Sequence, residues 1–118
     1  MKSATLDKMN ALETVAHLSE YTLRAIREVT DERGRQLQKF GVQNWEPRDW
    51  LMILAEEVGE ANREALEARF ANVFPEHYTE DAQRMQRLRA ELIQVAAVAV
   101  AAVESLDRNE LKDATPTI

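Results

Sequence analysis

The sequence predicts an all-α protein, and three observations carry that prediction. Only three Gly and three Pro occur in 118 residues, too few for the turns a sheet protein needs. Apolar residues recur at three- and four-residue spacing through most of the chain, which is the period of an amphipathic helix. The stretch Leu92 to Val103 is apolar apart from Gln94, and as a helix it spans about 18 Å, short of the roughly 30 Å hydrocarbon core of a bilayer. It therefore predicts a buried helix in a four-helix-bundle-like fold, with no membrane partner.

Taken in order, the first helix is expected from Thr5 or Leu6 to near Val29, with Leu12, Val15, Leu23, Ile26 and Val29 among its apolar positions. A shorter one covers Asp31 to Phe40, and Gly41 stands where a C-terminal cap is wanted. The two are either one helix or a pair joined by a bend near Thr30 or Gly34. A third starts at Pro47, a favoured first-turn residue, and runs to Phe70. Asn72 and Pro75 mark Ala71 to Tyr78 as a loop. Thr79 is placed to cap a fourth helix, with Glu80 and Asp81 in its first turn complementing the helix dipole, and this helix ends near Arg108. Residues 1–108 thus form one domain, and 109–118, with Pro116, a frayed tail.

Ala96, Ala97, Ala99, Ala101 and Ala102 let other helices approach the fourth one closely. Being apolar almost all round, it asks for more neighbours than one small chain offers, which points to a homodimer or a dimer of dimers. The net charge of −6 argues against nucleic acid as a partner, because that contact needs clustered Lys and Arg. Cysteine is absent, so disulfides and thiolate chemistry are excluded, in keeping with a cytoplasmic setting. Lys2 and Asp7 interrupt any apolar run at the start, so no signal segment is expected there.

Two acidic clusters sit inside otherwise apolar helices. Glu57 and Glu60 share the arc of the third helix that holds Trp50, Ile53, Leu54 and Ala61, and are expected to point at the core. On the fourth helix Glu91 and Gln94 share a face with Val95 and Val98, and one turn earlier with Arg84 and Arg87. A buried carboxylate costs several kcal/mol unless something positive compensates it. Several converging carboxylates are the ligand set of a hard cation such as Mg²⁺, which takes oxygen donors and keeps waters for exchange with phosphate. The competing reading of Glu57 and Glu60 is a buried salt bridge to Arg84 or Arg87. Gln94 is alternatively a hydrogen-bonded core amide, and Trp50 a core aromatic. Trp45, in the loop beside Asn44, is the better candidate for stacking on a substrate base. No His follows a helical Glu by three residues, so a di-iron bundle is disfavoured.

Glu32 to Arg108 resembles the MazG-like all-α nucleoside triphosphate pyrophosphohydrolases of small bacterial and phage type. The pattern is carried by Glu56-Glu57, Glu60 and Glu91, with Glu32-Arg33 and Gln36, Gly41-Val42-Gln43-Asn44, Trp50, and Glu91 through Val100 as flanks. The resemblance implies a MazG/dUTPase-type fold completed by dimerisation. It also implies cleavage of a nucleoside triphosphate between the α- and β-phosphates, with Mg²⁺, or Mn²⁺ in its place, as cofactor. In that picture Glu57, Glu60, Glu91 and Gln94 hold the metal and Glu56 orients or deprotonates the attacking water. Arg33, Lys39, Arg84, Arg87 and Trp45 are then the candidate substrate contacts. One position departs from the pattern: its last acidic ligand is here Gln94, which is neutral and offers one amide oxygen. A catalytically weakened nucleotide-binding bundle is the alternative that Gln94 motivates, and a structural dimeric bundle the one that the alanine-rich helix motivates.

Overall fold

The computed structural model describes residues 10–70 and 81–111, and all regular structure there is helical. Four helices follow in order: α1 (Ala11–Ala16), α2 (Glu20–Phe40), α3 (Pro47–Phe70) and α4 (Asp81–Asn109). The expected helix start at Thr5 or Leu6, the Ala71 to Tyr78 loop, the Thr79 cap and the last residues of the tail lie outside the described residues.

The bounds follow from local chemistry. The Asn10 side chain accepts from the Glu13 amide at 2.8 Å and caps α1. The Ser19 hydroxyl accepts from the Thr22 amide at 3.2 Å and starts α2. This second cap overturns the expectation of one helix running on to Val29. The break falls at His17 to Ser19, because a serine that satisfies an otherwise orphaned amide competes with helix continuation. No break occurs near Thr30 or Gly34, where α2 is continuous. The Thr30 hydroxyl donates to the Ile26 carbonyl at 2.9 Å within the helix, so it does not interrupt it. Gly41 ends α2 with φ 69°, the left-handed conformation glycine adopts without steric cost, and its amide donates to the Leu37 carbonyl.

The α4 helix is central, packing most extensively on α3 and next on α2. Trp50, Val98 and Ala101 form the core, with Ile53, Leu54 and Ala102 against them. Ala61 and Ala97 are buried as well. The loop between α2 and α3 is tied to the end of α4. There the Arg108 guanidinium donates to the Gln43 carbonyl and the Asn44 side-chain oxygen, and Asn109 donates to the same oxygen at 2.9 Å. That anchorage sets where Trp45 stands.

The expected burial of α4 on several sides is met on two. Ala97, Val98, Ala101 and Ser105 are buried, while Met85, Leu92 and Val103 remain open on a further side, Leu92 at 53%. Those three recur at seven- and eleven-residue spacing, so they line one face. On α3, Leu51, Val58 and Leu66 form a similar uncovered stripe.

Candidate functional site

The two acidic clusters meet where α3 packs on α4. Glu57 and Glu60 stand one turn apart on α3 and Glu91 faces them from α4, with one carboxylate oxygen from each within 4.8 Å of the others. Glu57 and Glu91 are half-buried, as a core-facing position predicts. Glu60 is exposed, contrary to the expectation that it points at the core. A three-residue step turns the helix by about 300°, so Glu60 lands some 60° round from Glu57 and reaches the rim.

Electrostatics mark the cluster as a place where neighbouring carboxylates repel one another. Burial raises the Glu57 carboxyl above its ordinary range, and repulsion from Glu60, Glu56 and Glu32 adds to this, against a hydrogen bond from Glu91. Glu91 is raised first by burial, then by its hydrogen bond to Glu60 and by repulsion from Glu60, Glu57 and Glu64. Among the described residues, the groups that act on these two carboxyls are themselves carboxylates. On α3, the carboxylate that pairs with Arg87 is Glu64, at 3.1 Å, one turn beyond Glu60. The Glu91 Oε2 atom is buried with no hydrogen-bond partner.

These features fit a hard divalent cation. The donors are all carboxylate oxygens, as Mg²⁺ and Mn²⁺ prefer. Their mutual repulsion is the charge such an ion would neutralise, and the orphaned Glu91 oxygen is a buried acceptor lacking its counterpart. Glu56 is exposed and stands outside the triad, close enough to add to the repulsion on Glu57.

Glu57 opens onto a cavity of about 580 Å³ between α2, α3 and α4. Lys39, Trp45, Trp50 and Gln94 line it. Trp50 is at once wall and core, 5% exposed, with its indole Nε1 buried and unpartnered. Trp45 is half exposed at the mouth, and Lys39 lies over the Phe40 ring at 5.1 Å. The volume is in the range of small-molecule sites.

The other cations named from the sequence stand elsewhere. Arg33 is held in a two-bond fork by Glu104, Nη2 to Oε2 at 2.8 Å and Nε to Oε1 at 3.2 Å, and donates to Gln36 as well. It borders an apolar groove between α2 and α4 away from Glu57. Arg84 is buried on α4, and Arg87 points to Glu64. None of the three lines the cavity that Glu57 opens onto.

Sequence reading offered Arg35 and Lys39 of α2 as cations for the phosphates but gave Glu32, Gln36 and Phe40 no role, and all of these face the cavity. Their three- and four-residue spacing was the available signal, since it puts them on one helical face. A smaller cavity of about 390 Å³ adjoins the first, and Glu32, Arg35 and Gln94 border both. Among protein-family models, curated proteins and solved structures, none matches this chain.

Proposed function

We propose that the chain is a metal-dependent nucleoside triphosphate pyrophosphohydrolase of the MazG-like kind, acting on deoxynucleoside or modified nucleoside triphosphates. The observation that carries this reading is the Glu57, Glu60 and Glu91 triad beside a cavity with cationic and aromatic walls. Those three carboxylates would hold Mg²⁺, with Gln94 beside them. When bound, the ion supplies charge neutralisation at the phosphates and acidifies a coordinated water.

The remaining roles belong to the chain's own residues. Glu56 takes the proton from the attacking water, whose oxygen forms the new bond to the α-phosphorus. The bond from that phosphorus to the α–β bridging oxygen breaks, releasing nucleoside monophosphate and pyrophosphate, and the proton passes from Glu56 to solvent. Lys39 lies on the cavity wall and offsets charge on the phosphates. Trp45 at the mouth offers a ring face to the base. A second copy of the chain covers the open stripes on α3 and α4, since apolar residues at such spacing on adjacent helices are the usual material of a homodimer interface.

The test is pyrophosphate release from a panel of nucleoside triphosphates with Mg²⁺ or Mn²⁺, for wild type and Glu57→Gln. Activity in wild type, lost in the variant and on chelation, is the expected result. Equal rates in both proteins would sink the reading. Nucleotide-dependent thermal stabilisation with no product would favour instead the weakened, nucleotide-binding bundle that Gln94 suggests.

A further inference from the structure

Gln94 stands beside the candidate centre as a neutral amide, and α2 carries a carboxylate on the same wall. Among the described residues, Glu57 and Glu32 are the acidic ones that line the larger cavity, and Glu32 borders both cavities together with Gln94. The Glu32 side chain is only 12% exposed, and Arg35, one turn on, pairs with it at 2.8 Å. Glu32 does not belong to the group whose oxygens lie within 4.8 Å of one another. It shares the cavity wall with Glu57 and is near enough to add to the repulsion there, and around a bound Mg²⁺ the layer just outside its protein ligands is where the ion's waters sit.

Of the other carboxylates nearby, Asp31 borders only the smaller cavity and is exposed. Glu28 is gripped by both terminal nitrogens of Arg89, and Glu64 is paired with Arg87. The Arg35 guanidinium is 64% exposed and sits on the cavity wall. It can therefore leave Glu32 for an anionic ligand in the cavity, which a buried partner could not.

Resting on the metal-centre reading above, we propose that Glu32 supplies the charge that Gln94 lacks. It is a positioning carboxylate that accepts hydrogen bonds from the water shell of a divalent cation held by Glu57, Glu60 and Glu91. In the ion-free protein Arg35 holds it in place. The α2 helix thereby becomes part of the centre, and the fourth charge reaches the ion from a different helix than the pattern in the sequence suggests.

Mn²⁺ binding to the full chain, followed by calorimetry without nucleotide, tests this directly. Glu32→Gln should weaken Mn²⁺ by about tenfold, the size typical of groups that support a metal's ligands. Adding Gln94→Asp to that variant should restore affinity to within about twofold of wild type, because either carboxylate then serves the same role. Glu28→Gln should leave binding unchanged. Affinity unaltered in Glu32→Gln overturns the proposal. So does Gln94→Asp tightening wild type and Glu32→Gln by equal factors, since the two charges would then act independently. If wild type binds no Mn²⁺, the metal-centre reading itself fails and this proposal falls with it.

Discussion

Replacing Glu91 by Gln converts the electrostatics of the triad into a stability measurement. One oxygen of Glu91 lies within 4.8 Å of an oxygen from each of Glu57 and Glu60. At that separation and an effective dielectric of about 20, each fully ionised pair repels by about 3.5 kcal/mol. Burial first, and this repulsion after it, raise the Glu57 and Glu91 carboxyls, so wild type sheds part of the repulsion by retaining protons. Because both fold with pKa values above the ordinary 4.5, the unfolded chain ionises first as pH rises. Stability therefore falls from about pH 4.5 up to the raised values and is not regained above them. An amide at position 91 stays neutral at every pH and still donates to Glu60. With chelator present, the two proteins should be equally stable near pH 4. Near pH 8 the variant should be more stable by about 1–2 kcal/mol, the repulsion left after screening and relaxation. For a domain of this size that is a rise in Tm of about 3–10 °C, read by circular dichroism. Mg²⁺ should then stabilise wild type more than the variant. A variant less stable than wild type near pH 8, or a gap that does not change with pH, would refute the argument.

Two further outcomes follow from other parts of the molecule. The fork from Arg33 holds Glu104 below the ordinary carboxylate range, with Arg108 helping; its contribution is full above about pH 4.5 and is lost as pH falls through the folded value. Arg33→Met should cost about 1–2 kcal/mol in urea denaturation at neutral pH, and less in acid, since Glu104 is partly exposed to solvent. A loss that is the same at all pH values would mean that packing by the Arg33 stem, not the ion pair, carries it. Separately, Leu92→Glu puts a charge in the open stripe of α4 and should shift sedimentation from dimer to monomer with helix content kept. A protein that sediments as a monomer before the change would remove the dimer from the picture.

Several of the helix ends and all three members of the triad were legible in the sequence. Pro47, Gly41 and the end of α4 needed only the steric and capping preferences of single residues, which act over one turn and are written in adjacent letters. Glu57 and Glu91 were legible because a carboxylate amid apolar residues breaks the helical pattern. Ser19 shows the limit: its hydroxyl caps α2 in the midst of a stretch whose apolar spacing reads as continuous, and a side-chain hydrogen bond leaves no trace in periodicity. Glu60 shows another, since a fixed angular step says which arc a residue occupies but not how wide the covering neighbour is.

By itself the sequence determined that the chain is helical, where most helices begin and end, and that two acidic clusters lie on helices three and four. These are consequences of backbone sterics and of the 3.6-residue period, which neighbours in sequence settle among themselves. Only the tertiary structure decided that Glu57, Glu60 and Glu91 come within 4.8 Å, and that Arg33 and Arg87 are taken by Glu104 and Glu64. It alone brought Glu32 and Arg35 of α2 to the cavity wall beside Gln94. Charges act through space, so which of them meet depends on how helices distant in sequence pack, and no local pattern encodes that.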